Sequence, residues 1–159
     1  MTARIHQMVA GYSNGDAISN EARTLREVFR GWGHDSDIFC ETSRILPELR
    51  KDARDVFRLS ETVDPDDVAL LHLSIGSPVN DLFERLPCRK VIRYHNVTPD
   101  RYFRALNEPI ARQLALGREQ MRRLAGVADV NLAVSRYNAR ELEEAGYRDV
   151  QVHPLVLEL

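Results

Sequence analysis

The segment 68–74, Val-Ala-Leu-Leu-His-Leu-Ser, constrains the fold more than any other stretch of this chain. It is apolar on both faces apart from His72. A strand of that kind needs cover on both sides, which it finds in the middle of a parallel sheet clad with helices. The flanking pattern agrees. Strand-like runs at 4–10, 35–40, 68–74, 90–95, 130–134 and 150–152 alternate with helix-like runs at 16–32, 79–86, 109–127 and 135–145. The first helix is the clearest. Ile18, Ala22, Leu25, Phe29 and Trp32 fall on one face, and Asn20, Arg23, Arg26, Glu27 and Arg30 on the other. Only the polar stretch 41–67 is weakly patterned, with short helices read at 45–49 and 53–59. Strand and helix in alternation, joined by right-handed crossovers, predict an α/β fold: a doubly wound, mainly parallel sheet in a Rossmann-like single domain.

The bulk properties set limits on function. The chain has 159 residues, 43% hydrophobic and 29% charged, with a net charge of -2. That suits one soluble domain and offers no basic field for nucleic acid. Cys40 and Cys88 form no Cys-x-x-Cys pair and no zinc-spaced cluster, so reduced thiols are expected, with a single disulfide as the alternative. No signal peptide opens the chain and no apolar run approaches the roughly 20 residues of a membrane span. A cytoplasmic domain is expected, with contact to the inner face of a membrane left open. The arginines Arg112, Arg118, Arg122 and Arg123 of the long helix read as a solvated face.

In open parallel sheets ligands bind beyond the carboxyl ends of the strands. The loops there are the candidates. Gly11 to Asp16 leads into a helix, where glycine lets the backbone approach a ligand and free N–H groups favour an oxygen-rich partner. Asp16 competes with a phosphate for those donors and suits the hydroxyls of a sugar better. The loop lacks the third glycine of a dinucleotide fingerprint and the Lys-Ser/Thr pair of a P-loop. His95 stands where a buried strand meets a loop, beside Asn96, and an imidazole there can exchange a proton near neutral pH. His6 and His72 lie inside strands and read as satisfied core histidines. Ser77 and Ser135 read first as helix caps whose neighbouring amides could also bind an anion. No Gly-x-Ser-x-Gly elbow is present.

Several of these segments together resemble bacterial family 4 glycosyltransferases of the GT-B fold. The similarity runs in order through Ile5-His6-Gln7, Gly11, Gly15-Asp16-Ala17-Ile18-Ser19-Asn20, Leu73-Ser74-Ile75-Gly76-Ser77-Pro78, Arg93-Tyr94-His95-Asn96-Val97-Thr98-Pro99, Ser135-Arg136-Tyr137-Asn138 and Pro154-Leu155-Val156-Leu157. The resemblance implies the N-terminal, acceptor-side half of such an enzyme over 1–153, with an interdomain linker beginning at 154–159. It implies a retaining hexosyltransferase that moves a sugar from a nucleoside diphosphate donor to a saccharide or lipid-linked hydroxyl acceptor, in polysaccharide or glycolipid assembly. Neither a metal nor a cofactor beyond the co-substrate is implied. A C-terminal donor-binding domain is the implied partner, and it would carry the donor-side Glu-x7-Glu element. His95 would be the catalytic contact. Asn14, Asp16, Ser77 and Asn96 would bind the acceptor, and Gly11, Gly15 and Ser135 would lie near the donor phosphate.

A different class of function fits the same residues. A stand-alone Rossmann-like domain that binds a saccharide or a protein, without catalysis, would show the same loops. A flavodoxin-like or response-regulator domain fits less well, because Asp16 and Asp100 are the only expected carboxylates at that edge.

Overall fold

The computed structural model describes residues 2–156, so 157–159 of the expected linker lie outside the described residues. Seven strands form one parallel sheet: β1 (Ile5–Met8), β2 (Ile38–Cys40), β3 (Arg54–Asp55), β4 (Val68–Leu73), β5 (Arg89–Tyr94), β6 (Val130–Ala133) and β7 (Gln151–Val152). Their spatial order is β3-β2-β1-β4-β5-β6-β7. The direction of winding therefore reverses between β1 and β4, which opens a crevice at their carboxyl ends. Among the described residues five α-helices, with four short 3-10 helices, join the strands: α1 (Ala17–Gly31), α2 (Leu59–Thr62), α3 (Pro78–Arg85), α4 (Glu108–Arg123) and α5 (Arg136–Glu144). The fold is the expected doubly wound, Rossmann-like α/β domain.

The helix starts follow from local chemistry. Asp16 caps α1, Ser77 caps α3, Asn107 caps α4 and Ser135 caps α5, each through a side-chain oxygen that accepts a backbone N–H. The main departures from the sequence reading fall in 41–67. Instead of two short helices, that stretch holds 3-10 turns, the edge strand β3 and the one-turn α2. An edge strand of two residues carries too little pattern to be seen in sequence. Strand β2 is also shorter than expected, and α4 ends near Arg123 rather than at 127.

The two faces of the sheet differ. Because side chains alternate along a strand, Met8, Leu71, Leu73, Ile92 and Tyr94 share one face. They join Val79 and Phe83 of α3, Leu114 and Met121 of α4 and Leu142 of α5 in the main apolar core. The face that carries α1 is smaller in apolar content, with Val9, Tyr12, Ala22, Ile38 and Ile45 at one side. Its centre is polar. Gln7, His72 and Arg93 lie there on the adjacent strands β1, β4 and β5, all buried, and Glu21 of α1 is fully buried above them. Segment 68–74 is thus apolar toward one helix layer, while His72 belongs to a polar spine beneath the other.

Helix α4 approaches the loop after β4 almost backbone to backbone. The Gly76 N–H donates to the Gln113 carbonyl at 3.0 Å. A Cβ on Gly76 would sit 2.4 Å from that oxygen, and one on Gly117 would sit 2.6 Å from the Gly76 nitrogen. Backbone atoms cannot yield as a flexible side chain would. Gly76→Ala and Gly117→Ala are each expected to destabilise the fold by about 1–3 kcal/mol in urea denaturation. Gly31→Ala, near the end of α1 with open space around it, is expected to stabilise it by roughly 0.5 kcal/mol.

Candidate functional site

A cavity of about 260 Å³ occupies the crevice at the carboxyl ends of β1 and β4. Gly11 and Asp16 reach it from the loop after β1, Glu41 and Arg44 from the segment after β2, and Ser77 from the loop after β4. Gln113 and Leu116 of α4 close one side. Three sequence-predicted residues, Gly11, Asp16 and Ser77, therefore meet at one place. Glu41 joins them from the loop after β2, itself a candidate at this edge in the sequence, and Arg44 and Gln113 join unannounced. They come from a weakly patterned stretch and from a helix, and only the tertiary packing brings them to the crevice.

The loop from β1 to α1 is fixed at both ends. Tyr12 is buried, although its position in a Gly/Ser/Asn turn points to exposure. Its backbone pairs with Arg44 and Leu46, and its hydroxyl donates to Asp52. Arg26 also binds Asp52, at 3.0 Å, so Arg26 is buried in a tether rather than set on the solvated side of α1. The Asp16 Oδ2 accepts from the Ser19 N–H at 3.0 Å and the Ser19 hydroxyl at 2.7 Å. Those bonds occupy Oδ2 and leave Oδ1 without a partner among the described residues. Asp16 is thus a cap with one oxygen available to a ligand. Asn14 and Gly15 are exposed on the same loop and do not line the cavity; Gly15 takes the left-handed conformation, with φ +75°.

His95, Asn96 and Ser135 stand apart from the cavity lining, at the ends of β5 and β6. Asn96 has φ 87°, a left-handed conformation that strains a residue with a Cβ. The loop behind it is tied down. The Tyr94 hydroxyl accepts from the Val97 N–H at 3.1 Å, and Arg118 donates to the Val97 carbonyl and to Glu141, both at 2.8 Å. Arg118 is accordingly a partly buried brace for this loop, not part of a solvated face. Ser135 accepts from the Asn138 N–H at 3.1 Å, the cap role expected of it.

Beneath His95 lies the polar spine. Glu21 accepts from Arg93 Nε at 2.5 Å and from its Nη2 at 2.9 Å. The chain that leaves β7 turns back over this pair. Pro154 offers its carbonyl to Arg93 at 2.9 Å, and the Val156 N–H donates to Glu21 at 2.8 Å. The two imidazoles of His72 and His95 meet at 2.8 Å, and His72 also bonds Gln7 at 2.7 Å. In the sequence His72 reads as an ordinary core histidine, Gln7 and Arg93 stand in resemblance segments without a role, and Glu21 is unremarked. A signal was there. Glu21 is three residues after Ile18 on the core stripe of α1, and Arg93 interrupts a strand, so each is a charge at a core position and requires an opposite partner.

The side chains of Glu21, His72 and His95 bring potential ligand atoms within 4.8 Å of one another. The spacing would suit a metal, but the chemistry does not. Arg93 already neutralises Glu21, and a divalent cation would have to sit against that guanidinium. Among the described residues both thiols are free, Cys40 being buried, and no helix is long and apolar enough to cross a membrane.

Burial keeps His6, His72 and His95 neutral. It pushes His95 down to about 4 against the opposing pull of Glu21, with Arg93 lowering it further and Asp16 raising it. Burial likewise takes His72 well below its ordinary value and lowers His6. The unfolded chain therefore binds more protons than the folded one between about pH 4 and 6.5. Stability should be level above pH 6.5 and fall as pH drops through that window, by up to about 1.4 kcal/mol per pH unit for each such histidine. Urea midpoints at pH 7.5 and pH 5 check this; equal midpoints would contradict neutral burial.

No protein-family model matches the chain, and no curated protein sequence matches it. A solved structure does: an alpha-glucosyltransferase in complex with UDP-glucose and DNA containing an abasic site, at a TM-score of 0.64 and 14% identity. The match covers 99% of this chain and 44% of that one, so this chain spans less than half the length of its structural neighbour. At that identity the likeness is one of fold. The chain has the Rossmann-like architecture of one half of a GT-B glycosyltransferase.

Proposed function

We propose that this chain is the acceptor-binding half of a retaining glycosyltransferase of the family 4 type, moving a hexose from a nucleoside diphosphate sugar to a hydroxyl acceptor. One observation carries the reading: the cavity at the β1/β4 reversal holds carboxylates, an amide and a hydroxyl set among apolar walls. Asp16, Glu41, Gln113 and Ser77 can exchange hydrogen bonds with sugar hydroxyls, while Ile18, Ile75 and Leu116 cover the C–H faces of a ring. At about 260 Å³ the space is smaller than the ~300–1,000 Å³ typical of drug-sized ligand sites and suits one sugar ring.

The glucosyltransferase neighbour supports the reading through its fold, and the UDP-glucose in that protein illustrates the kind of donor intended. Its DNA is not carried over. A net charge of -2 gives no electrostatic footprint for a polyanion, so the acceptor proposed here is a saccharide or a lipid-linked sugar. The donor would be held mainly by a second domain facing this edge, with the strand-end loops of this chain completing the site. No enzyme nucleophile, metal or further cofactor is invoked. Stabilising the charge that develops on the leaving phosphate would be the main physical effect. A cytoplasmic setting, with contact to the inner face of a membrane, fits a glycolipid acceptor.

Calorimetric titration of the chain with glucose, mannose and UDP-glucose tests this. Weak saccharide binding is expected, and Asp16→Asn should weaken it about tenfold while keeping the helix cap, because a charge-assisted hydrogen bond contributes roughly 1.5–3 kcal/mol. Tight UDP-glucose binding that Asp16→Asn leaves unchanged would contradict the proposed division of labour.

A further inference from the structure

The hydrogen bonds of the polar spine have a direction, and a backbone carbonyl sets it. Gln7 donates through Nε2 to the Ala22 carbonyl at 2.8 Å. A carbonyl oxygen only accepts, so the Gln7 amide cannot flip without placing two acceptors face to face. Its Oε1 must then accept from His72 Nε2, 2.7 Å away, which puts the His72 proton on Nε2. Both imidazoles are neutral through burial, so His72 Nδ1 carries a lone pair. His95 Nε2 lies 2.8 Å from that lone pair and must donate to it. The Glu21 carboxylate lies 3.6 Å from the same nitrogen and 3.8 Å from His72 Nδ1, so it does not itself choose between them. Nothing is left undetermined at His95: its proton is on Nε2, and Nδ1 has no partner among the described residues.

We infer that Gln7 and His72 are positioning residues that lock His95 in the Nε2–H tautomer, which leaves Nδ1 as its free nitrogen and a hydrogen-bond acceptor at the end of β5. The inference rests on the function proposed above and sharpens it. A locked Nδ1 lone pair can receive a hydroxyl proton, but it cannot donate to a phosphate oxygen. In this tautomer His95 can serve the proposed site only by accepting from a sugar hydroxyl, not by donating to the leaving phosphate. Asp16, whose charge is felt at His95, lies at the same edge and accepts likewise. Two acceptors of this kind suit the hydroxyls of a polyol, with the Arg44 guanidinium beside Asp16 in the cavity lining. Gln7 and His72 touch no ligand and act only through His95. Glu21 and Arg93 neutralise each other beside the pair, so neither draws the proton away.

Imidazole-nitrogen NMR of the histidine-labelled chain at pH 7.5 reads the tautomer directly, before any substitution. His72 and His95 are both expected as Nε2–H. In Gln7→Leu the fixed polarity is lost. His95 should then show a mixture of tautomers, and the affinity for glucose or mannose should fall about tenfold with little change in its pH dependence above pH 6.5. Added sugar should perturb His95 Nδ1 in the parent chain. An Nδ1–H form of His95 in the parent, or an unchanged tautomer in Gln7→Leu, would overturn the relay while leaving the proposed function in place. The expected tautomers with no response of His95 to either sugar or to UDP-glucose would overturn the role given to His95 and, with it, the purpose of the relay.

Discussion

A carboxylate and a guanidinium buried together under α1 hold the carboxyl edge of the sheet in shape. Glu21 is fully buried and Arg93 nearly so, and each is satisfied by the other. Removing one partner of such a pair typically costs about 3–5 kcal/mol, because the survivor is left as an uncompensated charge. The pair also works across distance in sequence. It joins α1 to β5 and pins the chain that leaves β7 through Pro154 and Val156. An apolar pair would fill the space but could not bind two backbone groups of that segment at once. The ion pair therefore fixes the path of the exit segment and, beside it, the floor under His95.

The α4 wall of the crevice depends on absence of side chains. Gly76 and Gly117 let α4 close on the loop after β4, so that Gln113 and Leu116 reach the cavity. Gln120 reinforces the contact from one turn further along. Its amide bonds both backbone groups of Ser77, at 3.1 and 2.8 Å, and the Asn80 side chain at 2.7 Å. Ser77 is therefore held by its backbone as well as used as a cap, which leaves its placement in the crevice little freedom. The ion-paired floor under His95 and the α4 wall of the crevice are rigid for different reasons, one electrostatic and one steric. Preorganisation of that kind is what a polar site needs if a weakly held sugar is to bind at all.

Much of this was legible in the sequence, and the reasons are physical. Strand and helix periodicity, capping residues and the apolar run at 68–74 are local signals, and they point to the sheet, its parallel sense and the caps at Ser77 and Ser135. What escaped was long-range. Tyr12 looks like a loop residue until Asp52, forty positions away, is brought to its hydroxyl. Arg118 looks solvated until Glu141 and the Val97 carbonyl are packed beside it. His72 looks like a core residue because its partners Gln7 and His95 lie on other strands or at their ends. Glu21 and Arg93 were visible as charges at core positions, but each becomes interpretable only with the other in view.

Backbone-amide NMR of the isotope-labelled chain, titrated with glucose or mannose, tests most directly whether the crevice between β1 and β4 is where a sugar binds. Shifts clustered at Gly11, Asp16, Gly76 and Ser77 are expected, with a weaker response at His95 and Asn96. Shifts confined to the groove at the opposite end of the strands, around Arg4, His34 and Arg54, or no shifts at all, would contradict it.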